Sequence, residues 1–336
     1  MASLSMITPV DNLSPDVAQE LGLLGCVPAL SCVSDPRFSY YLYAPSTYHR
    51  QTTAPPRVLV LIHHSLRNAY ALREAFRAFA LDHNLFLLCP LFPIGFLDPG
   101  DTDNYKNLHY RGVHYDRVLL SMVDEVQARY PKIPADTTFG LYGFSGGAQF
   151  VHRFAYLHAE RLWGLVVAAP GAQTPWDHTR DYPAGVRDLQ TVFPGTADGW
   201  EGPLRLLPTA FMCGAQDTDV SWARLRGRET PAEGGRLAAA RRLREDWVKQ
   251  GALRTRFVAV EGAAHEESKI LECVQGFFDE VLAEGQGQEG KEQQEGKELT
   301  TRAKTTTTQQ QQQHSYTAHV NPTPKLDAHG VSIVVG

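Results

Sequence analysis

Six short apolar runs, Arg57 to Ile62, Leu85 to Cys89, Thr138 to Tyr142, Leu165 to Ala169, Pro208 to Cys213 and Arg256 to Val260, recur along the chain with helical or loop segments between them. Short apolar runs bounded by turns read as strands buried on both faces, and strands that alternate with helices build parallel βαβ units. The helix candidates are Ala69 to His83, Tyr115 to Tyr130, Gly147 to Leu162, Gly235 to Gln250 and Glu267 to Ala283, where apolar residues return at helical spacing. The pattern therefore predicts an α/β fold with a mainly parallel central sheet and helices on both faces. Phe38 to Tyr43, aromatic and stopped by Pro45, reads as an early antiparallel strand, and Ser14-Pro15-Asp16 reads as the capped start of a small helix ahead of it.

Gly143-Phe144-Ser145-Gly146-Gly147 falls where the third of the six runs meets a helix. A Gly-x-Ser-x-Gly at such a junction is the pattern of a nucleophile elbow, in which a strained turn leaves a serine Oγ exposed above the sheet. Five residues alone could equally be a glycine-rich turn, so the order of polar residues further along the chain matters. Chemistry of this kind needs an acid and then a histidine, each just beyond a later strand. Asp217, with Asp219 as its rival, follows the strand candidate Pro208 to Cys213, and His265 follows Arg256 to Val260. Ser145, Asp217 and His265 are thus the candidate catalytic residues. Either carboxylate could instead cap the next helix, and a lone loop histidine is often just a surface residue.

A tetrahedral intermediate also needs two backbone N–H groups facing its oxyanion. Gly146 supplies one candidate, and the loop His63-His64-Ser65-Leu66-Arg67-Asn68 supplies the other, with Ser65 first and Leu66 second. His63 and His64 are adjacent at a strand exit and point different ways, and no further ligand cluster accompanies them, so neither a metal nor a cofactor is expected.

The segment Gly171 to Arg205 is too long for an ordinary connection. It reads as a lid insertion, with Trp176, Tyr182, Phe193 and Trp200 either walling a substrate site or pinning the segment to the domain. Phe144 and Trp176 are the candidate substrate contacts. From about Glu284 the composition turns to Gly, Gln, Glu and Lys and then to threonine and glutamine runs, which cannot bury enough apolar surface to offset chain entropy. The expected organisation is an N-terminal extension over 1–35, one domain over 36–283 with its lid at about 171–205, and a disordered tail over 284–336. The short apolar run Val331 to Val335 has no visible partner in that tail.

Composition narrows the partners. The chain has 336 residues, 43% of them hydrophobic, and a formal net charge of -5 without a basic stripe among its 32 Lys and Arg. That gives no electrostatic footprint for nucleic acid or an anionic membrane. Met1 to Asp16 lacks the basic flank and apolar core of a leader, and no apolar run is long enough to span a bilayer. Five cysteines at scattered spacings read as reduced thiols, so a cytoplasmic protein is expected.

Over approximately Phe38 to Ala283 the chain resembles the α/β-hydrolase superfamily, and within it the polyhydroxyalkanoate-depolymerase-like and feruloyl-esterase-like serine hydrolases. The pieces that carry the resemblance are His63 to Asn68, Pro90-Leu91-Phe92-Pro93, Asn104-Tyr105-Lys106, Tyr115-Asp116 and the elbow. It implies an α/β-hydrolase fold and a serine hydrolase that cleaves a carboxylic ester of a small or medium organic substrate through an acyl-enzyme. Acyl transfer, thioester cleavage in a biosynthetic pathway, and ligand binding on a non-catalytic hydrolase fold are the alternatives, and an ester or thioester is the expected partner. One departure stands out: His64 occupies a position where such hydrolases carry glycine, which implies a reshaped oxyanion loop or a narrower acyl pocket.

Overall fold

A computed structural model of the chain describes residues 4–50, 55–220 and 234–285. The chain divides into two compact units, Met1–Val281 and Leu282–Gly336. Residues 286–336 lie outside the described residues, so the expected disordered tail and Val331 to Val335 are not described beyond the end of one helix at 285.

The strands are β1 (Gly25–Ser31), β2 (Ser39–Ala44), β3 (Arg57–Ile62), β4 (Leu85–Leu91), β5 (His109–Tyr110), β6 (Val113–His114), β7 (Phe139–Phe144), β8 (Leu162–Ala168), β9 (Thr209–Gly214) and β10 (Thr255–Val260). Eight of them form one sheet in the order β1-β2-β4-β3-β7-β8-β9-β10, and β5 with β6 makes a separate hairpin. From β4 to β10 every neighbour pairs in parallel, whereas β2 joins β4, and β1 joins β2, in antiparallel fashion. All six residues of β7 are buried, as a central parallel strand covered on both faces must be.

The helices are α1 (Pro15–Glu20), α2 (Ala69–Asp82), α3 (Tyr115–Arg129), α4 (Gly146–His158), α5 (Leu189–Val192), α6 (Glu201–Leu206), α7 (Gly235–Lys249) and α8 over 271–285. Alternation along β3 sorts them between the sheet faces. Val58, Val60 and Ile62 share one core cluster with Leu119 and Met122 of α3, Phe150 and Phe154 of α4 and Trp247 of α7. On the opposite face Phe76 of α2 meets Tyr142, Phe278 of α8 meets Trp163, and Gln275 of α8 donates to the Ala75 carbonyl of α2. The α/β fold with a mainly parallel sheet and helices on both faces is the architecture the periodicity predicts.

Two features differ from the sequence reading. The sheet begins at Gly25, inside the stretch taken as an N-terminal extension. Pro28 hides this strand, because proline cannot donate to a ladder; it is tolerated at a sheet edge, here where the pairing register shifts between Val27 and Leu30. The second is the β5–β6 hairpin, turned by Arg111 and Gly112, both at positive φ.

The long segment between β8 and β9 is packed down along much of its length. Trp176, Val186, Leu189, Phe193, Trp200 and Leu204 are all buried. Trp176 lies 5.2 Å from Trp200, 6.1 Å from Tyr156 and 6.2 Å from Trp247, ring centre to ring centre. Trp247 donates through Nε1 to the Tyr156 hydroxyl, which in turn donates to the Thr174 carbonyl. Buried indole and phenol groups thus find partners, and the segment is tied to α4 and α7 through them. Among the described residues no helix is long and apolar enough to cross a membrane, and Cys26, Cys32, Cys89, Cys213 and Cys273 are free thiols.

Candidate active site

Ser145 is the single residue between β7 and α4, at φ 54 and ψ -106, a conformation that costs a side-chain-bearing residue about 1–3 kcal/mol. The surroundings hold it there. Its N–H donates to the Ala168 carbonyl at 2.8 Å, and its carbonyl accepts the Gln149 N–H at 3.2 Å. Glycine at 147 is obligatory, since a Cβ there would stand 2.2 Å from the Ile62 carbonyl oxygen. The tight turn is thereby braced against β3.

β9 and β10 deliver the other two side chains. Asp217 sits in the turn after β9, 3% exposed, while Asp219 is exposed. Asp217 Oδ2 lies 2.6 Å from His265 Nδ1, and His265 Nε2 lies 3.0 Å from Ser145 Oγ. Arg236 donates to the remaining oxygen, Asp217 Oδ1, at 3.1 Å. Burial pushes the Asp217 carboxyl up, but the hydrogen bond and charge of His265, with Arg236 behind, outweigh it and hold the group below the usual carboxylate range. An ionised acid in this position fixes one imidazole tautomer, with Nδ1–H toward Asp217 and Nε2 free to accept from the serine. Phe144 is buried, its ring stacked on His265 at 4.7 Å.

Gly146 opens α4, so its N–H is one of the amides without an intrahelical acceptor. Facing it, the Ser65 Oγ would lie 3.0 Å from a Cβ added at Gly146. The Leu66 N–H is already committed to His64 Nδ1 at 3.0 Å, whereas the Ser65 N–H meets no acceptor among the described residues. His64 thus removes one of the two alternatives in this loop. The loop does not use positive φ at 64, where glycine would have permitted it; Arg67 takes that conformation instead.

His63 is fully buried and structural. Its Nδ1 donates to the His64 carbonyl and its Nε2 accepts the Phe92 N–H, and burial pushes its pKa down to about 3. The Tyr105 hydroxyl donates to the His63 carbonyl. Among the described residues no group of three His, Cys, Asp or Glu side chains is placed to hold a metal.

The sheet order, with a serine turn after β7, an acid after β9 and a histidine after β10, decides the fold. The chain has the α/β-hydrolase fold. Poly(aspartic acid) hydrolase-1 from Sphingomonas sp. KT-1 superposes with a TM-score of 0.57 and 26% identity, over 71% of this chain and 92% of that one. A poly(3-hydroxybutyrate) depolymerase from Bordetella parapertussis superposes with a TM-score of 0.59 and 23% identity, over 80% of this chain and 95% of that one. No family model matches the chain, and no curated protein sequence is similar to it.

Within this α/β-hydrolase domain the sequence reading placed Trp176 at the substrate. Its ring is instead 2% exposed inside the aromatic knot with Tyr156, Trp200 and Trp247, which matches the pinning role weighed beside the substrate one. The reading also passed over Glu267. Its Oε1 accepts from the Tyr142 hydroxyl at 3.0 Å and its Oε2 from Asn68 Nδ2 at 2.8 Å, and Asn68 Oδ1 accepts the His64 N–H. The loop that carries His265 is thereby joined to β7 and to the loop at Ser65. An acid two residues past the candidate base, at the head of a helix, was the available signal, and it looks like ordinary helix capping.

Proposed function

We propose that this chain is a serine hydrolase that cleaves a carboxylic ester through an acyl-enzyme. The observation that carries the reading is the continuous hydrogen-bonded line from Asp217 through His265 to Ser145 Oγ. In this reading Ser145 Oγ attacks the carbonyl carbon while His265 Nε2 takes its proton. Asp217 stabilises the imidazolium that results, and the N–H groups of Gly146 and Ser65 receive the oxyanion. His265 then protonates the leaving alcohol, activates water by the same nitrogen, and returns a proton to Ser145 as the acid departs. The names of the two structural neighbours, a poly(aspartic acid) hydrolase and a poly(3-hydroxybutyrate) depolymerase, are in line with attack on an acyl carbonyl. Phe144 supports the His265 ring, and the catalytic unit runs from the edge strand at Gly25 to α8.

The test is intact-mass detection of labelling by a fluorophosphonate. One adduct on the native chain, absent from Ser145→Ala, is the expected result. An unlabelled native chain, or a Ser145→Ala variant that still turns over esters at the native rate, ends the proposal.

A further inference from the structure

Ser65 faces Gly146 with its side chain as well as its backbone, since Oγ would lie 3.0 Å from a Cβ added at Gly146. A serine hydroxyl in a loop ordinarily bonds to a backbone group of its own turn. The Ser65 hydroxyl has no hydrogen-bond partner among the described residues, and it is not sealed away, because Ser65 is only half-buried. The rest of the loop holds it in place. The Ser65 carbonyl accepts from Arg67 Nη1 at 2.7 Å, and the same guanidinium donates to the carbonyls of Phe92 at 3.0 Å and Thr102 at 2.9 Å and to Asn104 Oδ1 at 3.2 Å. On either side, the His64 N–H donates to Asn68 Oδ1 and the Leu66 N–H to His64 Nδ1. A donor fixed in advance needs no reorganisation when charge develops beside it, and that is the condition for strong stabilisation of an oxyanion.

Reach decides what this donor can do. A Cβ stands about 2.5 Å from the nitrogen of its own residue, so Ser65 Oγ lies no more than about 5.5 Å from the Gly146 nitrogen. One oxygen that accepts from an amide at about 2.9 Å and from a hydroxyl at about 2.7 Å can bridge donors that far apart. Within Ser65 itself, covalent geometry sets N and Oγ about 3 Å apart, so both can converge on that oxygen. The neighbouring Leu66 N–H is committed to His64 Nδ1 and adds nothing to the set. Resting on the reading of Ser145 as nucleophile, we propose that the Ser65 hydroxyl is a catalytic group, the third donor to the oxyanion beside the N–H groups of Gly146 and Ser65. The hydroxyl keeps its proton throughout. It donates a hydrogen bond that strengthens as the carbonyl oxygen gains charge in each tetrahedral intermediate, and no bond is made or broken at Ser65. Its effect therefore falls on the transition state more than on the bound ester.

Ser65→Ala tests this on the full chain, because it removes Oγ and keeps the N–H. The fold has no hydrogen bond to lose there, so Tm should stay within about 2 °C of native. On p-nitrophenyl acetate kcat should fall by about 10²-fold, the size expected for one oxyanion donor, while KM changes little. Acylation and deacylation both pass through the same oxyanion, so the loss appears whichever step limits turnover. Phenylboronic acid, which adds to an activated serine as a tetrahedral anion, should bind the Ser65→Ala chain more weakly by a similar factor. A general disturbance of the loop would not make the two losses agree. A kcat loss smaller than about tenfold, or a change confined to KM, overturns the assignment of the hydroxyl and leaves Ser145 standing as the nucleophile. A native chain that neither labels with a fluorophosphonate nor turns over esters removes both.

Discussion

Replacing Glu267 with leucine should cost about 2–5 kcal/mol of stability, because a fully buried donor, the Tyr142 hydroxyl, and a half-buried one, Asn68 Nδ2, lose their acceptor at once. The Glu267 side chain is 12% exposed, Tyr142 is fully buried, and the two hydrogen bonds span 3.0 Å and 2.8 Å. Each unsatisfied donor costs about 1–3 kcal/mol. For a domain of this size about 1 kcal/mol corresponds to 2–4 °C in Tm, so thermal unfolding followed by circular dichroism should show Tm lower by roughly 5–15 °C. Glutamine should be far milder. Its carbonyl can accept from Asn68 and its amide can donate to the Tyr142 oxygen, so about 1 kcal/mol or less is expected.

The pair of variants also gives a pH signature. Burial raises the Glu267 carboxyl above its ordinary value, and the hydrogen bonds from Asn68 and Tyr142 offset this only in part. The folded state then holds a proton more tightly than the unfolded chain. The contribution of Glu267 to stability is therefore fullest below its unfolded pKa and is lost as pH rises through its raised folded pKa. The always-neutral Glu267→Gln variant lacks that loss, so Tm of the native chain relative to it should fall as pH climbs through that window. A Glu267→Leu Tm within about 2 °C of native, where roughly 5 °C or more is expected, or a difference that moves the other way with pH, would refute the reasoning.

Three further outcomes are expected. Asp217→Asn should lower kcat by about 10⁴ with the fold intact, because the 2.6 Å contact to His265 loses its charge; steady-state kinetics that retain a tenth of native turnover would rule out that role. Ser145→Gly should raise Tm by several degrees while abolishing turnover, since glycine accepts φ 54 and ψ -106 without strain; an unchanged or lower Tm would show that the turn is not strained. Trp176→Ala should cost about 3–5 kcal/mol through a cavity in the aromatic knot, and among molecules that remain folded KM should stay near native; a KM effect without a Tm effect would return Trp176 to the substrate.

The parts of this molecule legible in the sequence are those whose physics is local. Burial on both faces made β3, β4, β7, β8 and β9 predominantly apolar, and the close approach of Gly147 to Ile62 left its mark as a glycine two residues past the serine. The relation among Ser145, Asp217 and His265 was legible because a parallel sheet converts strand order into spatial order. What stayed hidden depends on contacts that strand order does not specify. Glu267 meets Asn68 across 199 residues, and Arg153 meets the Lys106 carbonyl across 47, so neither partner marks the other in the chain. An aromatic residue in a long loop has the same local signature whether it faces a ligand or a core, and Trp176 faces the core. β1 was masked by Pro28, whose cost is small only because the strand lies at an edge.

The knot of Trp176, Tyr156, Trp200 and Trp247 sets how this enzyme candidate can select what it binds. A long insertion with its own aromatic anchors behaves as masonry and not as a door: its inner face is shaped once, when the chain folds, and opening it would mean pulling indoles out of the core. In the proposed reaction, discrimination among substrates then rests on the fixed dimensions of that rim. Relaxing it calls for changes to the side chains at that rim, because the anchors beneath it are buried in the core.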